Sequence, residues 1–147
     1  MGFVKKAYDI ARKEVFFCNA DDLLVNVARL MHSKNIGSVI VKKDDAIVGI
    51  ITVNDMLRHL ERNADSAKTK ASQIMSSPLR VASKDLEVDE LVDEFNKHKV
   101  SRMVLVDKDN KVVGVVRDIA VFKYLTFYKY DKEVQKRFAR DYMHKLY

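Results

Sequence analysis

The chain is 147 residues long, 48% apolar and 33% charged, with a net charge of +6. That balance is that of a soluble globular protein made of one compact domain or two small, intimately packed halves. It excludes a membrane-spanning chain, because no apolar run approaches the roughly 18–20 residues that cross a bilayer.

Residues 3–10 read as a short entry helix or arm, and Val15-Phe16-Phe17-Cys18 as a strand. Asp21 or Asp22 is placed to cap the next helix, where a carboxylate accepts free amide N–H groups and meets the positive end of the helix dipole. That helix runs to about Ser33 with Leu24, Val27, Ala28 and Met31 on one face. Asn35-Ile36-Gly37 ends it through a residue able to turn left-handed. Residues 38–41 and 47–51 follow as strands joined by the charged turn 42–46. Asn54 or Asp55 opens a helix that closes near Leu60, and residues 61–70, polar and aperiodic, read as a linker.

The second half then repeats the first. Val88, Leu91, Val92 and Phe95 mark a helix face 64 residues after Leu24, Val27, Ala28 and Met31. Residues 103–106 and 112–116 repeat the strands around a turn at 107–111, and Gly114 follows Gly49 by 65, so the second hairpin has gained one residue. Pro78, the only proline, precedes the second copy's first strand, and Asp85 occupies the cap position matching Asp21. Each copy reads β-α-β-β-α. A half of this size buries too little surface to be comfortable alone, so the copies are expected to share a core around a pseudo-twofold axis, with a central sheet covered on both faces. The fold class is α+β. Residues 1–60 form the first repeat with its arm, 61–70 the linker and 71–125 the second repeat. Residues 126–147 form a basic, aromatic helical extension, because residues 119–146 contain no Gly or Pro. From Lys123 onward seven Lys or Arg stand against three acids.

The chemistry is narrow. No Ser-His-Asp or Cys-His arrangement is evident, and His32, His59, His98 and His144 lack metal-ligand spacing, so no catalytic residue, metal or required cofactor is assigned. Cys18, the only cysteine, excludes an intramolecular disulfide, fits a reducing cytoplasm and follows two phenylalanines as a small semi-buried residue. The first residues lack the apolar stretch of a signal peptide, and Lys6 stands where myristoylation needs Ser or Thr, so the expected location is cytoplasmic. The positive charge favours anionic partners: nucleotides, nucleic acid or an acidic protein face. The junction at Ile51, Thr52, Asn54 and Asp55 stands out. A strand hands over to a helix whose free amides make an anion site, Thr52 can donate to a phosphate, and Asp55 can accept the two hydroxyls of a cis-diol.

Gly49-Ile50-Ile51-Thr52-Val53-Asn54-Asp55-Met56, with Ala71-Ser72-Gln73-Ile74-Met75 ahead of a proline and the two matched helices, resembles a tandem pair of CBS domains, the Bateman module, over residues 7–125. The resemblance is to stand-alone proteins of prokaryotic or archaeal type. It implies the CBS fold and a regulatory sensor rather than an enzyme, a homodimer, and an adenosyl ligand held in a cleft between the repeats. That ligand is AMP, ADP or ATP, with S-adenosylmethionine or NAD as further members of the class. Carried over position by position, the nucleotide site comprises Ile51, Thr52, Asn54, Asp55, Leu79, Arg80, Val81, Ala82, Val100, Ser101 and Arg102. Arg102 stands where some nucleotide-sensing members carry a phosphate-binding arginine, and His98 is a weaker candidate. A second, weaker site would use Phe17, Cys18, Asn19, Ile36, Gly37, Ser38, Val116, Arg117 and Asp118. There the threonine is replaced by Arg117 and the aspartate by Ala120, which cannot hold a diol. The alternative reading is a dimerising interaction or nucleic-acid adaptor acting through the basic C-terminal helix on an unidentified effector.

Overall fold

The computed structural model describes residues 5–77 and 79–126. The expected helical extension at 126–147 therefore lies, after Thr126, outside the described residues. The chain divides into two compact units. One is contiguous, Val15–Leu79; the other is split, joining the residues up to Glu14 to those from Arg80 onward.

The contiguous unit contains β1 (Phe17–Asn19), α1 (Leu24–Lys34), β2 (Ser38–Lys43), β3 (Ala46–Thr52), α2 (Val53–Glu61) and a one-turn helix α3 (Ala71–Ile74). Its sheet has the order β1-β2-β3, with β1 parallel and β3 antiparallel to β2. The hairpin turns through Asp44 and Asp45, both at positive φ (50° and 63°), the pair of left-handed residues that a two-residue turn needs to follow the strand twist. Leu24, Val27 and Met31 of α1 pack on Val39, Val41 and Ile51 of the sheet. Ala28, expected on the same face, is exposed, so the buried stripe is narrower than the spacing suggested. Asn35 (φ 51°) rather than Gly37 supplies the left-handed residue that stops α1.

The split unit repeats the order with β4 (Val81–Ser83), α4 (Val88–His98), β5 (Arg102–Val106), β6 (Val112–Arg117) and α5 (Asp118–Tyr124). Lys99 (φ 52°) ends α4 as Asn35 ends α1. Val88, Leu91 and Phe95 pack with Met103, Leu105 and Val116. Most buried apolar side chains among the described residues fall into two clusters, one on each of two three-stranded sheets, where a single central sheet was expected.

The copies exchange their leading segments. The lead-in of the first copy, with a 3-10 turn at Ala7–Ile10, belongs to the split unit, and that of the second copy, α3, belongs to the contiguous one. Ala7 donates to the Leu86 carbonyl at 2.7 Å, and Ala71 to the Asp22 carbonyl at 2.8 Å; both alanines are fully buried. Beyond each turn the lead-in pairs with an edge strand: Arg12 exchanges two backbone bonds with Val115, and Ser76 two with Ile50.

The same exchange caps the helices, and it corrects the expected role of the aspartates. Asp22 accepts from the Asn19 amide at 2.8 Å and Asp21 pairs with Lys70 at 3.1 Å; neither caps α1. The free amides of Leu24 and Val25 go instead to the carbonyls of Thr69 (2.8 Å) and Ser66 (3.1 Å). Residues 61–70 are therefore part of the fold and complete the first turn of α1, where four amides lack a partner within the helix. In the split unit Asp85 likewise does not cap α4; Glu90 accepts the Glu87 amide at 3.0 Å, and the Val88 amide donates to the Lys5 carbonyl at 3.0 Å.

The crossing explains the central glycines. A Cβ on Gly49 would lie 2.8 Å from the Ser76 carbonyl oxygen and 2.7 Å from the Met75 sulfur; on Gly114 it would meet the Arg12 carbonyl oxygen at 3.0 Å. Neither glycine has positive φ, so space and not backbone conformation demands the residue. Gly49→Ala should cost about 1–3 kcal/mol through overpacking against a hydrogen-bonded strand, and Gly114→Ala less. Urea unfolding midpoints of the two variants test the order, and a neutral Gly49→Ala would refute it.

Candidate functional site

The β3–α2 junction is built by one aspartate. Thr52 is the N-cap of α2, which starts at Val53 rather than at the expected Asn54 or Asp55. Asp55, in the first turn, is only 1% exposed. Its Oδ2 accepts the Thr52 amide at 2.8 Å and the Thr52 hydroxyl at 3.1 Å. Its Oδ1 accepts the Ser76 hydroxyl at 3.2 Å and pairs with the Arg58 guanidinium. A carboxylate offers about four lone-pair positions, and all four are engaged. The Val53 amide is engaged too, donating to the Gly37 carbonyl at 3.2 Å. The free amides expected at this helix start are thus partly used by the chain itself.

Arg58, His59 and Ser76 were not read from the sequence as site residues. His59, 5% exposed, lies 2.9 Å from the Ser66 hydroxyl through Nε2 and ties the end of α2 to residues 61–70. Asp55, Arg58, His59 and Arg62 fall on one side of α2 at helical spacing, while Val53, Leu57 and Leu60 on the other are exposed. The polar side faces residues 73–77 across a cleft of about 390 Å³, within the size range of small-molecule sites. Ser77 also lines it and donates to the Val48 carbonyl at 3.1 Å. The signal that finds Ser76 is positional: once the second lead-in is known to pair with Ile50, Ser76 must fall beside the strand end that leads to Asp55.

The other expected residues divide between the units. Ile51 is buried in the contiguous core, Asn54 is exposed and Leu79 half-buried, all in the same unit as Asp55. Arg80, Val81, Ala82, Val100, Ser101 and Arg102 belong to the split unit. There Arg80 and Ser101 are exposed, Ala82 is buried and Val100 packs against the core. Arg102 is half-buried and pairs in register with Arg117. His98 meets Glu94 of its own helix at 3.3 Å.

In the second set, Phe17 is exposed with the Lys42 ammonium 4.0 Å from its ring centre, Cys18 and Ile36 are buried, and the Asn19 amide is held by Asp22. Gly37 is half-buried and gives its carbonyl to Val53; Ser38 pairs with Thr52 in register. Val116 is core, Arg117 exposed, and the Asp118 carboxylate accepts the Ile119 amide at 2.7 Å. Ala120, the counterpart of Asp55, packs against the apolar core. Scaffold equivalence therefore persists where chemical equivalence does not: the Asp118 amide donates to the Ser101 carbonyl just as Val53 does to Gly37.

Comparison with known proteins places this geometry. The family profile described as CBS domain matches residues 7–62 and 71–126. An uncharacterized protein of Methanocaldococcus jannaschii is 29% identical over 121 residues, 82% of this chain; the chain spans only 40% of that relative's length. Among solved structures, the CBS domain pair of protein MJ0100 in complex with 5′-methylthioadenosine and S-adenosyl-L-methionine matches with a TM-score of 0.72 at 24% identity, covering 83% of this chain and 96% of that one. The hexameric CBS-CP12 protein of bloom-forming cyanobacteria matches with a TM-score of 0.77 at 18% identity, covering 99% and 83%. At these identities the structural matches establish the fold. No helix among the described residues is long and apolar enough to cross a membrane.

Burial first, and the neighbouring Asp22 carboxylate second, push the Cys18 thiol up to about 11 from an ordinary 9.0. The folded chain therefore holds the thiol proton more tightly than the unfolded one. The stability that follows is present below the ordinary value and is lost as pH rises towards the folded one. Urea unfolding at stepped alkaline pH should show this loss in the wild type and not in Cys18→Ala. The native thiol should also react slowly with a disulfide reagent at neutral pH.

Proposed function

Because the chain belongs to the CBS-domain family, whose paired domains are regulatory ligand-binding modules, we propose that it is a sensor of an adenine nucleotide, held chiefly by the Asp55 junction. Asp55 takes the ribose diol. Thr52 and Asn54 stand beside it at the same strand-to-helix junction.

The observation that carries this reading is the way Asp55 is already used. Two hydroxyls of the chain, from Thr52 and Ser76, sit on its two carboxylate oxygens. A vicinal diol offers that same pair of donors in one rigid group, with less ordering entropy to lose. A structural relative solved in complex with two adenosyl ligands supports the same class. Ala120 packed against apolar side chains argues that the second junction contributes little. The ligand signals by favouring one of two conformations, which requires different affinity for each. The assembly is a homodimer.

Melting curves with AMP, ADP, ATP, NAD and S-adenosylmethionine are the direct test. A ligand at a hundredfold excess over its Kd should stabilise the chain by about 2.7 kcal/mol, and no shift with any of them would sink the proposal. Asp55→Ala should weaken binding by about 1–3 kcal/mol by titration calorimetry, and Ala120→Asp should leave it nearly unchanged. Light scattering should give the mass of a dimer.

A further inference from the structure

The Asp55 carboxylate is not an empty receptor. One of its oxygens is held by Arg58, three residues on along α2, and by Ser76. A diol that takes both oxygens, in place of the Thr52 and Ser76 hydroxyls, enters beside that guanidinium and competes with it for Oδ1. Resting on the ribose reading above, we propose that Arg58 is a built-in competitor that selects phosphorylated ligands: it leaves Asp55 when the sugar binds, and the ligand's phosphate is what receives it.

The charges around the cleft support the exchange. Arg58 and Arg62 stand one helical turn apart against the single carboxylate of Asp55, so two guanidiniums face one acid. Like charges at that spacing repel on a helix, and no carboxylate among the described residues forms an ion pair with Arg62. An anion in the cleft relieves that excess. On the facing wall the Ser76 hydroxyl becomes a neutral donor once the diol takes its place on Asp55, and guanidinium groups grip phosphate in a two-point fork. The Arg58 side chain is 60% exposed while Asp55 is 1% exposed, so the arginine can swing into the cleft without unpacking the core.

A ligand without a phosphate loses on both counts. It breaks the Arg58–Asp55 pair and returns nothing to the arginine. A cationic sulfonium close to the sugar adds repulsion. Arg58 thus penalises nucleosides and rewards nucleotides through a single side chain.

The test compares AMP with adenosine by titration calorimetry. Arg58→Ala should cut the preference for AMP over adenosine about tenfold, the worth of one charge-assisted contact, with adenosine tightening severalfold and AMP weakening by the remainder. Arg62→Ala should weaken AMP and leave adenosine unchanged, because Arg62 does not hold Asp55. Arg58→Gln, which keeps a donor without the charge, provides the same comparison should the alanine variant fold poorly: AMP falls relative to adenosine. Equal changes for the two ligands, or an unaltered AMP affinity, would overturn the role of Arg58 while leaving the ribose site standing. If neither compound binds the wild type, or Asp55→Ala binds both as well as the wild type, the ribose reading fails and this inference fails with it.

Discussion

The unpaired amides at the start of α1 and α4 govern the architecture. A helix start leaves several N–H groups without partners, and burying them unmet costs more than most single contacts gain. Side-chain caps are the common remedy, and aspartates stand near both helices. The fold uses backbone carbonyls instead, from Ser66 and Thr69 in one unit and Lys5 in the other. Those carbonyls belong to lead-ins that must then run on past Ala71 or Ala7 and pair with β3 or β6. From that follow the buried alanines, the glycines opposite the crossing strand, and a serine delivered to the carboxylate of Asp55.

Much of this is legible in the sequence. The two copies, their element order and their strand positions follow from residue spacing, because period-3.6 and period-2 patterns report burial directly. The exchange of lead-ins is not legible there. It leaves no periodic trace: Ala7 and Ala71 are single small residues, and residues 61–70 look like a linker because they bond through carbonyls that every residue possesses. The aspartates near α1 and α4 mislead for a related reason. A carboxylate close to a helix start has several amides within reach, and Asp22 satisfies that of Asn19.

At the site, the residue pattern reveals the strand-to-helix signature and the failure of its second copy. Asp55 and Ala120 occupy equivalent places, one saturated with hydrogen bonds and the other packed on apolar side chains. What the pattern hides are neighbours defined only by tertiary structure. Ser76 is 21 residues from Asp55 along the chain and in contact with it in space. His59, which the residue spacing does not single out, is buried against Ser66, and Arg58 lines the cleft from an exposed position, while Val53, Leu57 and Leu60 of the same helix are exposed. A helix whose polar face lines a cleft inverts the usual amphipathic rule.

The exchanged lead-ins also set a timetable for synthesis. The unit Val15–Leu79 is one unbroken stretch, complete once its last residue has left the ribosome. The other is not: Arg12 pairs with Val115, about a hundred residues later, which at ~5–20 residues per second is of order ten seconds. For that interval the nascent chain carries a strand whose partner does not yet exist, and Ala7–Arg12 find their place only after the rest of their own unit has been made.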